Sequence, residues 1–584
     1  MSGSTETSVP EDLIKAFDIR CNKGFFVGKS DICKKVKGVG GFIRKKELEA
    51  IRVEGNSDVI ELLRIPRLST FSIYTLLEIV NDENNYADAS SFSKTSAAVK
   101  ASLEKYFRNP ILVSHISESL LLVSYFTLFE CLRYHGLEIP EKIKKYLDLV
   151  LLDTEVDSVY SNLSNSFETS EIRLFRQYGY EKCSEIFNAL IDVSNVITSD
   201  NQISVKIAKI CASCMSRSLE IPEAVDVDSD DFRVNNTLVP VLDFVNHDND
   251  QVNAHFDVDR ETGDVLLLLD ETPQEEEEFE VFISYSPYEE LFNFERTYGF
   301  APVRSKKSPQ FWNMCFEKNF FKKFKPRCLD LACFYKWFSI RPCVQLILLG
   351  DQVYINDTIE EFRQFLLPFF DNPVREDEPR FEYNPNCYLT FARFAARANG
   401  GSENDYLSYY EEVVRTQERS RDETIGIPQL AWSCRFWEDS LVSARFDKEQ
   451  CMSFEHDSEE DYEKAKNAFE AYFCEYCAWR MRALSIEMTQ PTSNFWGRLA
   501  AHEQTILGQI LLQKRNKSAF FWSEAPSSLT VPFTGCPVLP NQCVAFEIDT
   551  DMTKNDHFSY YEESRYSDYV DEEYEHYHQF FNPS

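Results

Sequence analysis

An almost wholly apolar run of residues ends in Asn246 and His247, and acids and amides follow at once. A second histidine lies eight residues after His247. Two histidines and one carboxylate can hold a non-haem iron, so this stretch offers four candidate ligands: His247, Asp250, His255 and Asp257. The usual close pairing of histidine and carboxylate is not met, and no third imidazole follows at a suitable distance. We therefore predict no iron site here.

The acids after this stretch also alternate as they do in a calcium loop, at Asp257, Asp259 and Glu261. The sixth position is Thr262, however, and the glycine comes one residue late. The chain has no phosphate-binding P-loop and no Gly-x-Ser-x-Gly nucleophile motif. The glycine-rich sequence at residues 38–41 lacks the later glycine of a dinucleotide fingerprint. These motifs support none of the common metal, nucleotide or serine-hydrolase chemistries.

Three segments, in a fixed order, indicate a different chemistry. They are "GVGGFI" at residues 38–43, "VPVLDFVNHDND" at 239–250 and "EVFISYSPYEELFNFERTYGF" at 280–300. Together these segments resemble the SET-domain lysine methyltransferases, in the branch typified by the Rubisco large-subunit methyltransferase. The resemblance covers most of residues 20–520, and its sharpest parts are the Asn-His ending and the "VFISY…YGF" segment.

The resemblance implies S-adenosylmethionine as the cofactor and no metal. It places the cofactor against a glycine-rich turn at Gly38–Phe42, where the missing Cβ atoms allow a close backbone approach. The turn consists of Gly38, Val39, Gly40, Gly41 and Phe42. The other implied cofactor-binding residues are Arg217, Asp243, Asn246, His247, Tyr298 and Phe300. Asn246 and His247 would hold the adenine and amino-acid ends, and Asp243 is expected to face inward and to accept a hydrogen bond, with Arg217 as the expected partner.

Tyr298 matches the catalytic tyrosine of the family, and Tyr285 matches a second catalytic aromatic residue that lines the lysine channel. Only the neutral form of a lysine amine, with a reference pKa of about 10.4, has the lone pair that attacks a methyl group. A phenol can orient that amine without placing a negative charge beside it. The chain departs from the family at Ser286, where glycine is common, so a non-catalytic SET scaffold that binds a basic partner stays open as an alternative.

The elements that must position these residues change character along the chain. The expected fold class is α+β, a β-rich SET domain with a pseudoknot, split by a helical insert and followed by a mostly α-helical C-terminal lobe. The run at 236–246 is interpreted as one buried strand. The predicted boundaries are 20–70 and 231–302 for the two SET halves, 71–230 for the insert, 303–545 for a substrate-binding lobe, and 546–584 for an acidic, tyrosine-rich tail without stable structure.

Two features of the helical segments concern packing. A stripe at three- and four-residue spacing predicts a buried helix face: Ala465, Phe469, Tyr472, Phe473 and Tyr476. Two Cys-x-x-Cys pairs, at residues 211 and 214 and at 474 and 477, also lie in helical sequence. One helical turn would place each pair on a packed face, so we interpret them as core thiols and not as zinc ligands.

The charge balance bears on the partner. The 584 residues carry a net charge of −35, which disfavours nucleic acid and anionic membranes. This charge favours a basic protein partner, but a generally acidic, soluble surface explains it equally well. The 17 cysteines and the absence of a signal pattern predict reduced thiols and a cytosolic or nuclear protein, and we expect the cytosol. Within the branch, the acidic chain and divergent second half look most like the fungal enzymes that methylate cytochrome c. Ribosomal proteins and elongation factors are also lysine-rich, so charge leaves them open as substrates.

Overall fold

The structure is a computed structural model. It describes residues 9–33, 36–53, 56–153, 156–164, 180–224, 232–272, 276–286, 289–306, 308–316, 343–359, 362, 365–366, 459–487 and 494–525. The chain forms two compact units, residues 1–308 with 553–584, and residues 309–552. The predicted tail at 546–584 lies outside the described residues.

The first unit begins with a short helix and five strands. These elements are α1 (Val9–Ala16), β1 (Arg20–Cys21), β2 (Phe25–Cys33), β3 (Val36–Arg44), β4 (Arg52–Val53) and β5 (Asn56–Ile65). The last strand ends where Pro66 removes a backbone donor. Helix α1 was not predicted, and its Leu13 is fully buried.

Seven α-helices follow in the described residues. They are α2 (Ile73–Asn81), α3 (Ala89–Tyr106), α4 (Pro110–Ser114), α5 (Glu118–Tyr134), α6 (Glu141–Tyr146), α7 (Tyr180–Ile197) and α8 (Ile203–Arg217). Side-chain caps explain several starts, because Ser72, Asp88 and Ser117 each accept a hydrogen bond from the third backbone N–H of the helix they precede. The helices end at Arg217, so the helical part is shorter than the predicted 71–230. No helix in the described ranges is long and apolar enough to cross a membrane.

The chain then returns to strands. They are β6 (Ser218–Ala224), β7 (Phe232–Leu238), β8 (Asn246–His247), β9 (Ala254–Val258), β10 (Val265–Leu269), β11 (Glu278–Ile283) and β12 (Glu289–Glu290). Strands β6 and β7 pair as an antiparallel hairpin. Helix α9 (Leu291–Tyr298) closes the segment, with the Glu290 side chain as its N-cap.

Both larger sheets of this unit combine strands from the two distant segments. One sheet has the order β1-β5-β10-β9, with Leu63 of β5 opposite Leu267 of β10. The other has the order β2-β3-β11-β8, with Gly41 of β3 opposite Val281 of β11. The central β10 is buried at every position, as its run of apolar residues predicts. The α+β class expected from the sequence is confirmed.

The glycine-rich segment is a strand, and the prediction of a turn at Gly38–Phe42 was wrong. Strand β3 pairs with β2 through this whole segment, with Gly28 opposite Gly40. None of these glycines has a positive φ. Glycine is depleted in strands, which is why the sequence indicated a turn. Here the missing side chains let β3 lie against neighbouring residues at close range.

The run at 236–246 is not one strand, contrary to the prediction. Strand β7 ends at Leu238, Val241 has φ of +74°, and Leu242–Phe244 form a 3-10 turn before β8. Pro240 lacks the N–H that a continuous strand would need. Residues 237–246 are nonetheless all buried, and this burial is what their mostly apolar composition signalled.

The second unit opens with strands, where the sequence had been interpreted as helical. Strands β13 (Gln310–Cys315), β14 (Cys343–Leu349) and β15 (Gln352–Ile355) pair antiparallel in that order. Short apolar runs buried on both faces do not separate strand from helix by periodicity.

Helices α10 (Glu459–Glu487) and α11 (Asn494–Asn516) follow in the described part of this unit. The predicted stripe on α10 is confirmed, since all five of its residues are buried. The two Cys-x-x-Cys pairs lie within helices α8 and α10, as predicted.

Candidate active site

Strand β3 meets Asn246 directly. The Asn246 side-chain amide donates to the Val39 carbonyl at 3.1 Å and to Glu280 Oε1 at 2.7 Å. A Cβ added at Gly40 would lie 2.8 Å from Asn246 Nδ2 and would clash with Glu280 Oε1. Asn246 is aligned because β8 runs parallel to β11, with Asn246 opposite Phe282. The structure therefore brings together two predicted cofactor-binding segments that lie about 200 residues apart in sequence.

Both ring nitrogens of His247 are hydrogen-bonded within the protein. Its Nδ1 accepts from the Tyr285 backbone N–H at 2.9 Å, and its Nε2 lies 3.0 Å from Glu289 Oε1. Because Nδ1 is an acceptor, the ring proton is assigned to Nε2, which donates to the carboxylate. His247 thus fixes the backbone of Tyr285, and its ring nitrogens have no role left in holding a ligand.

Four aromatic rings form a continuous cluster beside His247. The Tyr285 ring centroid lies 5.2 Å from that of His247 and 5.0 Å from that of Tyr298. Phe294 lies 5.0 Å from Tyr298, and Phe300 packs on both of these rings. The Tyr285 hydroxyl donates to the Val245 carbonyl at 2.8 Å. The two predicted catalytic tyrosines are therefore neighbours. Tyr285 packs on His247, and Tyr298 packs on Phe294.

Tyr298 is the last residue of helix α9, and the turn after it fixes its position. Gly299 has φ of +79°, and an added Cβ would lie 2.8 Å from the Asp157 carbonyl oxygen. The Val159 N–H of the same insert loop donates to the Arg296 carbonyl at 3.1 Å. The helical insert therefore holds the end of α9 in place.

The Tyr298 phenol stays protonated over a wide pH range. Burial raises its pKa to about 12, and the negative charge of Glu220 acts in the same direction. Among the described residues, none hydrogen-bonds the Tyr298 hydroxyl. Burial also raises the pKa of Tyr285. The cluster thus offers neutral phenol groups and no phenolate.

Asp243 faces inward as expected, but its main side-chain partner was missed. Tyr146 of the insert donates its hydroxyl to Asp243 Oδ2 at 2.5 Å. Arg217 donates to the Asp243 backbone carbonyl at 2.8 Å, while its nearest approach to the carboxylate is 3.9 Å. Arg217 is thus a hydrogen-bond partner of Asp243, as predicted, but through the backbone carbonyl and not through the carboxylate. Burial raises the pKa of Asp243, and the Arg217 charge opposes that shift.

Ser286 replaces the glycine common in the family without backbone strain. It is not among the residues with positive φ, and its carbonyl accepts from Asn249 Nδ2 at 3.0 Å. The position therefore has no need of glycine's conformational freedom. Ser286 follows Tyr285 directly. Hydrogen bonds to His247 and to the Val245 carbonyl hold Tyr285 in place.

Sequence reasoning missed two charged or polar groups at this site, Glu280 and Tyr146. Glu280 had a usable signal, because it is a half-buried acid between the buried Phe279 and Val281 in the quoted "EVFISY" segment. Alternation in a strand places it on the face opposite to theirs. Tyr146 had none, since only the tertiary fold brings it to Asp243.

Comparison with known proteins gives the family. The family model described as cytochrome c lysine N-methyltransferase 1 matches residues 8–552. The Saccharomyces cerevisiae protein named cytochrome c lysine N-methyltransferase 1 is 31% identical over 587 residues, covering 97% of each chain. The Kluyveromyces lactis protein of that name is 29% identical over 501 residues, covering 83% of this chain and 88% of its own.

A crystal structure of the SET domain of LSMT bound to lysine and AdoHcy covers 75% of this chain and 90% of its own, at 13% identity and a TM-score of 0.34. A structural similarity this low does not support an assignment of function. The sequence matches extend over nearly the whole chain, and on that ground the chain belongs to the cytochrome c lysine N-methyltransferase 1 family.

Proposed function

We propose that this protein transfers a methyl group from S-adenosylmethionine to the side-chain amine of a lysine in cytochrome c. The observation that carries the proposal is the continuous set of contacts from Gly40 through Asn246 and His247 to Tyr285 and Tyr298. Family membership supports this substrate, because the relatives from both yeasts are named for cytochrome c.

The residues at the site fit the cofactor by their chemistry. The Val39 carbonyl and the Glu280 carboxylate are acceptors that converge on the Asn246 amide, and a primary ammonium group needs such acceptors. The rings of Tyr285, Tyr298 and Phe300 are suited to a cationic sulfur and an adenine. Strand β3 and Asn246 would therefore hold the amino-acid end. When bound, S-adenosylmethionine supplies an electrophilic methyl group on a positively charged sulfur.

The protein's own part is to receive a neutral amine and to align it. With a pKa of about 12, the Tyr298 phenol is uncharged at neutral pH, so it does not stabilise the ammonium form of the substrate lysine. Its hydroxyl can hydrogen-bond the amine and direct the lone pair. Tyr285 is held rigidly by Val245 and His247 and forms one wall beside it. Alignment of this kind is worth several kcal/mol of barrier.

A cytosolic location and the absence of nucleic-acid or membrane partners are part of the same proposal. The described cysteines are free thiols, which suits a reducing compartment. The net charge of −35 suits a basic protein substrate. Fractionation of cells that express a tagged chain tests the location.

The direct test is incubation of the purified protein with methyl-labelled cofactor and, separately, cytochrome c, ribosomal subunits and an elongation factor. We expect label in cytochrome c, and peptide mass spectrometry should place it on lysine. Label only in ribosomal protein or elongation factor would contradict the substrate. The enzyme itself would be rejected if no protein in a whole lysate took up label.

A further inference from the structure

Glu280 places a carboxylate at the point where strand β3 meets Asn246. Its Oε1 accepts from Ser30 Oγ at 2.6 Å and from Asn246 Nδ2 at 2.7 Å. Ser30 is buried and Glu280 is half-buried. The side chain lies directly against Gly40, where any Cβ would meet it. The carboxylate is therefore fixed in place by three different strands, β2, β3 and β8.

The groups around this carboxylate are suited to a cation that carries several N–H donors. The Val39 carbonyl points to the same Asn246 amide as Glu280 does, so two acceptors converge there. A primary ammonium has three donors and would satisfy both. The charge of Glu280 also contributes to the raised pKa of Tyr285, behind the larger effect of burial, so the carboxylate lies within electrostatic reach of the aromatic cluster.

We propose that Glu280 is the counter-ion of the α-ammonium group at the methionine end of the cofactor, acting as a positioning residue. This inference rests on the proposed function. An ammonium removed from water needs a paired charge, and a carboxylate held by two hydrogen bonds provides it without further ordering. The sulfonium is assigned instead to the aromatic side, where Tyr285 and Tyr298 lie 5.0 Å apart.

The test measures binding without turnover. Glu280→Gln keeps the shape of the side chain and removes its charge. Glu278→Gln is the matched control, because Glu278 is two residues earlier on β11, is exposed, and pairs with Arg44 at 3.5 Å. Dissociation constants are measured by titration calorimetry for S-adenosylmethionine and for S-adenosylhomocysteine, which keeps the ammonium and lacks the sulfonium. Displacement of bound S-adenosylhomocysteine gives the affinity of 5′-methylthioadenosine, which lacks the amino-acid end.

We expect Glu280→Gln to weaken both amino-acid ligands by about tenfold or more and to leave 5′-methylthioadenosine unchanged. Glu278→Gln should bind all three ligands like the wild type. Ser30→Ala, which removes one orienting hydrogen bond, should weaken both amino-acid ligands by a smaller factor. The unfolding midpoints of the ligand-free variants verify that each one folds.

Unchanged affinity in Glu280→Gln would overturn the inference, and so would an equal loss for all three ligands. A loss confined to S-adenosylmethionine would also overturn it, since the carboxylate would then serve the sulfonium. If the wild-type protein binds neither amino-acid ligand, the proposed function itself fails, and this result differs from all the others.

Discussion

At the scale of single residues, the two tyrosines of the site are not equivalent. The Tyr285 hydroxyl is used in a hydrogen bond to the Val245 carbonyl, and its backbone N–H is used by His247. The Tyr298 hydroxyl has no such bond within the described ranges. The group that can act on an incoming amine is therefore Tyr298, and Tyr285 is the fixed surface beside it.

Replacement of this hydroxyl should separate catalysis from binding. Tyr298→Phe keeps the ring contacts with Tyr285 and Phe294, so we expect unchanged cofactor affinity by calorimetry. Methyl transfer to cytochrome c should fall by about 100-fold, the scale of a lost positioning or proton-handling group. Tyr134→Phe, at an exposed position, is the control and should keep full activity. Full activity in Tyr298→Phe would contradict the assigned role.

The pH dependence of the reaction should reflect the substrate lysine and not Tyr298. The Tyr298 pKa is raised from 10.0 to about 12, so the phenol keeps its proton up to that pH. The sign for stability follows, since the folded state binds this proton more tightly than the unfolded state does. Its contribution is complete below about pH 10 and is lost as the pH rises toward 12.

We therefore expect kcat/KM to rise with pH from 7 to about 10 as the lysine amine loses its proton. No falling limb from Tyr298 should appear in that range. The measurement is a pH–rate profile with circular dichroism at each pH to confirm folding. A decline with a midpoint near pH 10 in folded protein would show that the tyrosine ionises there.

At the scale of elements, the tight approach of β3 to β11 and β8 decides whether the cofactor site forms. Gly40→Ala forces a Cβ against Glu280 and within 2.8 Å of Asn246 Nδ2. We expect the free energy of unfolding to fall by about 1–3 kcal/mol and cofactor binding to weaken at least tenfold, because the displaced groups are those proposed to hold the ligand.

Gly28→Ala is the matched control, since Gly28 is the residue paired with Gly40 on β2. The three atoms nearest to its added Cβ would be ring carbons of Phe42 and Phe26, at 3.2 to 3.4 Å. Urea unfolding and calorimetry on both variants test the comparison. Equal effects at the two positions would show that β3 needs small residues generally, and that the contact with Asn246 has no special importance.

The sequence predicted those elements whose local pattern matches their environment. The α10 stripe is an example, because an amphipathic helix has a distinct apolar pattern. The segment at 38–42 was mistaken for a turn, since three glycines carry no strand signal, and its strand pairing is imposed by β2 and β11.

Within the candidate site, sequence motifs identified the main residues, whereas only the fold shows which side chains hydrogen-bond them. Asn246, His247, Tyr285 and Tyr298 were identified because they lie in recognisable segments. The link between Asp243 and Tyr146 joins residues 97 positions apart, and no local pattern encodes it. The same holds for the Ser30–Glu280 hydrogen bond, which spans 250 positions.

At the scale of the whole molecule, the net charge of −35 should govern encounter with a basic substrate. Electrostatic steering is screened over about 8 Å at 0.15 M salt, so it weakens as ionic strength rises. We expect KM for cytochrome c to increase about tenfold between roughly 0.02 and 0.3 M sodium chloride, with kcat unchanged. Steady-state kinetics at fixed cofactor concentration measures it. A KM independent of salt would mean that complementary charge does not assist binding.

The two sheets that join distant segments also set the order in which this protein can mature during translation. Val265, the partner of Ile65, is synthesised about 200 residues later, a delay of roughly 20 s at about 10 residues per second. Strands β3 and β5 leave the ribosome with open edges throughout that interval. These edges stay open to pairing with other chains until β10 and β11 have emerged, and the proposed binding site, which includes Tyr298 and Phe300, can form only after residue 300.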